Sequence, residues 1–184
     1  MILDAFQLFT GITPAAGIGN TDNTDSPTTG SQASTNVLDY GGPAIPVLAN
    51  LQGARDMGIG DDPALKVLCV VTVAFTGGTS MSVAFQGAPD NGSGAAGTFT
   101  TWWISPVYTE AQLVVGARLM DIDFPRPPQG IAIPRFVRLL WATVGTHSTG
   151  KVEAGIVLDR VDQMYQGTSN AVLGAYPAGI TVSN

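Results

Sequence analysis

Leu65-Lys66-Val67-Leu68-Cys69-Val70-Val71-Thr72-Val73-Ala74-Phe75, followed by Thr76-Gly77-Gly78 and then by Met81, Val83 and Phe85, is the stretch that decides the fold. Leu65, Val67, Cys69, Val71, Val73 and Phe75 alternate with Lys66, Leu68, Val70, Thr72 and Ala74, the period-two pattern of a strand, and most of these residues are β-branched or aromatic. Thr76-Gly77-Gly78 supplies turn chemistry, so the stretch predicts a hairpin.

The same period recurs on either side. Upstream, residues 35–39 form a short strand candidate. Downstream, residues 88–97, with Pro89-Asp90-Asn91-Gly92, read as a long loop before a strand at 98–104, and residues 109–113 offer a single helical turn. Residues 118–124 alternate again, with Met120, Ile122 and Phe124 opposed to Leu119, Asp121 and Asp123. Four prolines and Gly130 within residues 125–134 exclude a helix and a central strand there. Residues 136–144 are apolar on both faces, as expected at the centre of a sandwich. Residues 145–150 read as a polar turn into Val152, Ala154, Ile156 and Leu158. Seven or eight short strands with frequent turns predict an all-β protein, a jelly-roll-like or immunoglobulin-like β-sandwich over residues 35–160.

The flanks differ in kind. Residues 1–34 open on apolar Ile2, Leu3, Phe6, Leu8 and Phe9 and pass into a Gly, Thr, Ser, Asn and Asp tract without a usable period, which reads as a flexible N-terminal arm. Residues 161–184 lose alternation and read as an extended C-terminal tail with Tyr165, Val172, Leu173, Tyr176 and Ile180 as scattered anchors. Such tails order by lying across another surface, their own sandwich or a neighbour's, and the apolar N-terminal tip either docks on a neighbour or forms an edge strand of this same domain; these anchors, with Ile2, Leu3, Phe6 and Phe9, are the candidate protein-interface residues. Trp102 joins them: adjacent indoles at Trp102 and Trp103 on a strand should face opposite ways, one into the core and one toward solvent or a partner.

The 184 residues suit one domain. Charged residues are only 12% of the chain against 45% hydrophobic, so much of the surface must be apolar or neutral and is expected to be covered by partners. The formal charge of −6 arises within residues 1–62, where Asp4, Asp22, Asp25, Asp39, Asp56, Asp61 and Asp62 face Arg55 alone. An acidic chain without a basic patch is a poor nucleic-acid ligand. No stretch of 18 apolar residues exists to cross a membrane, and the N-terminus lacks the basic start of an export signal.

Residues for chemistry are few. His147 is the only histidine and sits in Gly145-Thr146-His147-Ser148-Thr149-Gly150, where a solvated turn side chain is expected. Without a second histidine or a nucleophile elbow there is no Ser/His/Asp relay, and one histidine with one cysteine, Cys69, is too little for ordinary zinc ligation. Asp56, Asp61 and Asp62 crowd a Gly-rich stretch, but their spacing is not that of an EF-hand, and a capped turn explains them. Asp121 and Asp123 share a strand face and do not oppose one another as glycosidase carboxyls do. The chain is therefore expected to be no enzyme and to need no cofactor or metal. The alternative to a structural role is a carbohydrate-binding β-sandwich module that stacks sugar on an exposed tryptophan.

The order of these pieces resembles the cement, or decoration, proteins of short-tailed bacteriophage capsids. The resemblance spans most of residues 35–160 and rests on Thr35-Asn36-Val37-Leu38-Asp39, Arg55-Asp56-Met57-Gly58-Ile59-Gly60, the strand from Val67 to Phe75, and Asp90-Asn91-Gly92-Ser93 before Trp102. It continues through Leu113-Val114-Val115-Gly116-Ala117-Arg118, the proline loop, Arg135-Phe136-Val137-Arg138-Leu139 and Thr149-Gly150-Lys151-Val152. It implies a jelly-roll subunit on the capsid exterior, made in the host cytoplasm. It also implies contact with the major capsid protein and with copies of itself, as dimers or trimers at symmetry axes, through loops and termini. Residues 11–30 and the tail after Arg160 are longer than in the family's pattern.

Overall fold

The alternating runs become strands, but longer ones than their turn signals suggest. A computed structural model describes residues 8–11, 23–40, 65–131 and 134–158. The strands are β1 (Thr29–Ala33), β2 (Leu38–Asp39), β3 (Leu65–Ala88), β4 (Thr100–Ile104), β5 (Tyr108–Thr109), β6 (Arg118–Asp123) and β7 (Phe136–Leu158). They form one antiparallel seven-stranded sheet in which β3 and β7 are the central pair. β1 and β2 pair with β7, whereas β4, β5 and β6 pair with β3. The protein is all-β: among the described residues the only helical element is a 3₁₀ turn, Glu110–Gln112, where the sequence places one.

The two expected turns are not turns. Thr76-Gly77-Gly78 and residues 145–150 lie opposite each other, with Thr76 paired to Thr149 and Gly78 to Gly145, inside strands that run straight through. Four successive register shifts between Val71 and Ser80 absorb the extra residues as bulges, which bend a strand without ending it. Gly145 has φ 78°, a conformation that a β-branched residue cannot adopt cheaply, and this is why the stretch looks like a turn. Because both strands bend at the same level, the ribbon folds as one piece and its halves become two layers.

The lower layer holds the first part of β3, the last part of β7 and β6, whose Ile122 and Met120 lie beside Val67 and Cys69. The upper layer holds the remainder of β3 and β7 with β1, β2, β4 and β5. Their inner faces meet at Phe85. Phe124 donates its backbone N–H to Leu65 in the lower layer, and its ring meets Phe85 of the upper layer edge to face, with centroids 5.3 Å apart. Val67, Cys69, Val71, Met81, Val83, Phe85, Leu139 and Trp141 are buried in one continuous core. Burial pushes the Cys69 thiol up to about 12.

Part of the expected arm belongs to this body. Asp25 exchanges backbone hydrogen bonds with Val152, and β1 pairs with residues 140–146 of β7. The polar sequence Thr-Gly-Ser-Gln-Ala of β1 lacks an alternating apolar face because an edge strand with four largely exposed residues does not need one. Residues 161–184 lie outside the described residues, as do Asp56, Asp61 and Asp62.

Candidate interaction surface

Of the candidate anchors, Ile2, Leu3, Phe6, Tyr165, Val172, Leu173, Tyr176 and Ile180 lie outside the described residues. Phe9 does not present itself to a neighbour. It is fully buried in the chain's own core, its N–H donates to the Ala154 carbonyl at 2.9 Å, and its ring packs against Phe85. Residues 8–10 act as a clasp between the layers, held by buried polar side chains. Thr10 Oγ1 accepts from the Ala154 N–H at 2.9 Å, while Asn36 donates its backbone N–H to Phe9 and its Nδ2 to the Leu8 carbonyl. Fully burying apolar side chains of this size stabilises by about 1.5–3 kcal/mol each.

Trp102 is likewise not an exposed platform. A bulge between Phe85 and Gln86 offsets β4 against β3, the alternation fails there, and both Trp102 and Trp103 pack against the core while half-buried. The Trp102 ring lies on Gly87, where any Cβ would come within 2.2 Å of it, and its centroid is 5.7 Å from that of Phe85.

His147 is buried rather than solvated, at 2% exposure. The bend in β7 turns it inward, edge to face with Phe75 at 5.1 Å, and its ring covers Gly78, where a Cβ would stand 2.2 Å from Cε1. Neither ring nitrogen has a hydrogen-bond partner, which is unlike an activated catalytic base held by an orienting group. Among the described residues no three of His, Cys, Asp and Glu gather as a metal site would need, and no helix is long and apolar enough to cross a membrane.

What does face outward is a set of aliphatic side chains that the sequence does not single out. Residues 113–117 are clipped along β3: Phe75 donates to the Leu113 carbonyl, Gly116 to that of Val71, and Val71 to that of Ala117, at 2.8–3.0 Å. Leu113 is thereby buried, while Val114 and Val115 stand 52% and 65% exposed near Val73, at 43%. A second group follows β4. Ser105 turns inward, its Oγ accepting from the Val83 N–H at 2.9 Å, and leaves Ile104 and Val107 on either side 61% and 66% exposed. The sequence signal for both groups is a pair of large aliphatics next to a turn residue, Gly116 or Pro106, where polar residues are usual.

A separate anchor, Arg135, ties β2 to the Asp90 loop. Arg135, largely buried, makes a bidentate pair with Asp39 at 2.9 and 3.0 Å and a third bond to Asp90. Asp90 Oδ1 also accepts the N–H groups of Gly92 and Gly94, and these bonds, with Arg135 beside them, hold its carboxyl below the usual carboxylate range. The Asp-Asn-Gly-Ser loop thus has a structural explanation.

No protein-family model matches the chain, and no curated protein matches it.

Proposed function

We propose that the chain is a structural virion protein, a jelly-roll cement subunit that binds the outer surface of an icosahedral phage capsid. There it bridges major capsid protein subunits, working as dimers or trimers. The observation that carries this reading is the pair of exposed aliphatic groups, Val73 with Val114 and Val115, and Ile104 with Val107, on a chain with only 12% charged residues. Exposed branched side chains on tethered loops of a rigid sandwich suit contact with another protein. The resemblance in sequence order supplies the kind of partner. Each contact is small, and a repeated lattice makes many such contacts effective together through avidity. The role is mechanical, resisting internal pressure by joining neighbouring capsomers.

The carbohydrate-binding alternative is weakened by the inward packing of Trp102 and Trp103, since a sugar-stacking module needs an aromatic face open to solvent. The experiment is sedimentation of the purified chain with heads of the phage that encodes it, prepared without this protein. Saturable co-sedimentation at a fixed number of copies per head supports the reading, and a chain left entirely in the supernatant refutes it.

A further inference from the structure

A cavity of about 130 Å³ opens at the seam between the two layers, where residues 25–27 run beside β1. Asp25 belongs to the lower layer through its pairing with Val152, β1 belongs to the upper, and Trp141 of the core forms part of the lining. The volume is well below the roughly 300 Å³ at which small-molecule sites begin, and it fits one side chain.

The lining selects what that side chain is. Asp25 is the only charged residue among those lining the cavity, and its carboxylate is fixed in advance: Oδ1 accepts from the Gly11 N–H at 3.0 Å and from Thr35 Oγ1 at 2.6 Å, and Oδ2 from the Thr35 N–H at 2.9 Å. A carboxylate offers about four acceptor positions, so one further donor can be taken. Gln32 Oε1, also on the lining, accepts the Thr28 N–H and keeps a second lone pair, and the Ser26 and Thr35 hydroxyl oxygens add acceptors. Scattered single acceptors around one negative charge match an ammonium group with its three independent N–H bonds. They suit a guanidinium less well, because its planar fork pairs most strongly where both oxygens of a carboxylate are free. Pro27 and Ala33 provide apolar contact for methylenes.

We propose that this cavity receives a lysine side chain of a partner protein. It is an acceptor site built on the fixed carboxylate of Asp25, in a chain of formal charge −6, and this charge favours a basic partner surface. The site stands apart from the exposed valines and isoleucine and holds whether or not the partner is a capsid protein.

The test uses the whole chain and n-butylammonium chloride, a probe with the ammonium and methylenes of lysine, followed by amide chemical shifts in NMR. Saturable shifts centred on Ser26, Gln32 and Thr35, absent with n-butanol and with sodium chloride at the same concentration, are expected. Ser26→Lys, a surface change that places a tethered ammonium at the mouth, should abolish the response. Shifts that are absent, that n-butanol reproduces, or that persist unchanged in S26K would overturn the proposal.

Discussion

Phe9 and Phe85 meet edge to face, their ring centroids 6.0 Å apart and their planes at 87°, although one lies near the start of the chain and the other deep in the long central strand. The contact joins the lower layer, where Phe9 bonds to Ala154, to the upper one. Phe9→Ala should therefore lower unfolding free energy by about 3–5 kcal/mol, the range for emptying a buried aromatic site. Removal of residues 1–10 should destabilise the sandwich at least as much. Urea denaturation reads both, and a wild-type midpoint for F9A would show that residues 8–10 are not part of the core.

His147 makes a second such contact at the bend. Its ring fills the space over Gly78 and against Phe75, so His147→Ala should cost about 2–4 kcal/mol, as large-to-small core changes do, rather than the few tenths of a surface residue. His147→Phe removes the two unpartnered nitrogens and keeps the site filled with a somewhat larger aromatic ring, and it should cost less than H147A. Thermal unfolding of the two variants provides the comparison, and an H147A protein as stable as wild type would contradict the packing.

These two residues mark where the sequence is readable and where it is not. The strands of the body were legible because burial on one face imposes period two, as at Val67, Cys69 and Val71. The bend was not, because Gly77-Gly78 and Gly145 have the same chemistry in a turn as in paired bulges; only the alignment of two distant strands distinguishes them. That alignment carries His147 inward. Phe9 was ambiguous for a related reason: an apolar residue before a polar tract reads alike whether it docks on its own sandwich or on a neighbour's. Trp102 and Trp103 were placed on opposite faces by strict alternation, which the Phe85/Gln86 bulge breaks. Val114, Val115, Ile104 and Val107 were hidden because exposure depends on what the backbone clips inward beside them.

Acid should loosen the Asp90 loop. The Asp90 carboxyl is held below its ordinary range chiefly by the Gly92 N–H, with Gly94 and Arg135 adding to it. Its contribution is thus complete above the unfolded-state value of about 3.9 and disappears as pH falls through the lower, folded value. Stability measured against pH for the wild type and Asp90→Asn should differ at neutral pH and converge in strong acid. Parallel curves down to the acid limit would contradict the assignment.

Replacing exposed valines tests the surface apart from the fold. Val114→Asp with Val115→Asp places two charges on side chains that are half or more exposed, so folding stability should change little, within about 0.5 kcal/mol per site. Sedimentation with heads should fall by tenfold or more if this loop lies in the contact. Unaltered sedimentation of the doubly charged variant would remove the loop from the interface.

The proposed cement role is tested most directly by heating heads that lack only this chain, with and without the purified protein added back, and recording the temperature at which the genome is released. Bridging of capsomers predicts that saturating protein raises the release temperature, in step with the number of copies bound. Heads that bind the protein to saturation and still release their genome at the unprotected temperature would contradict the account.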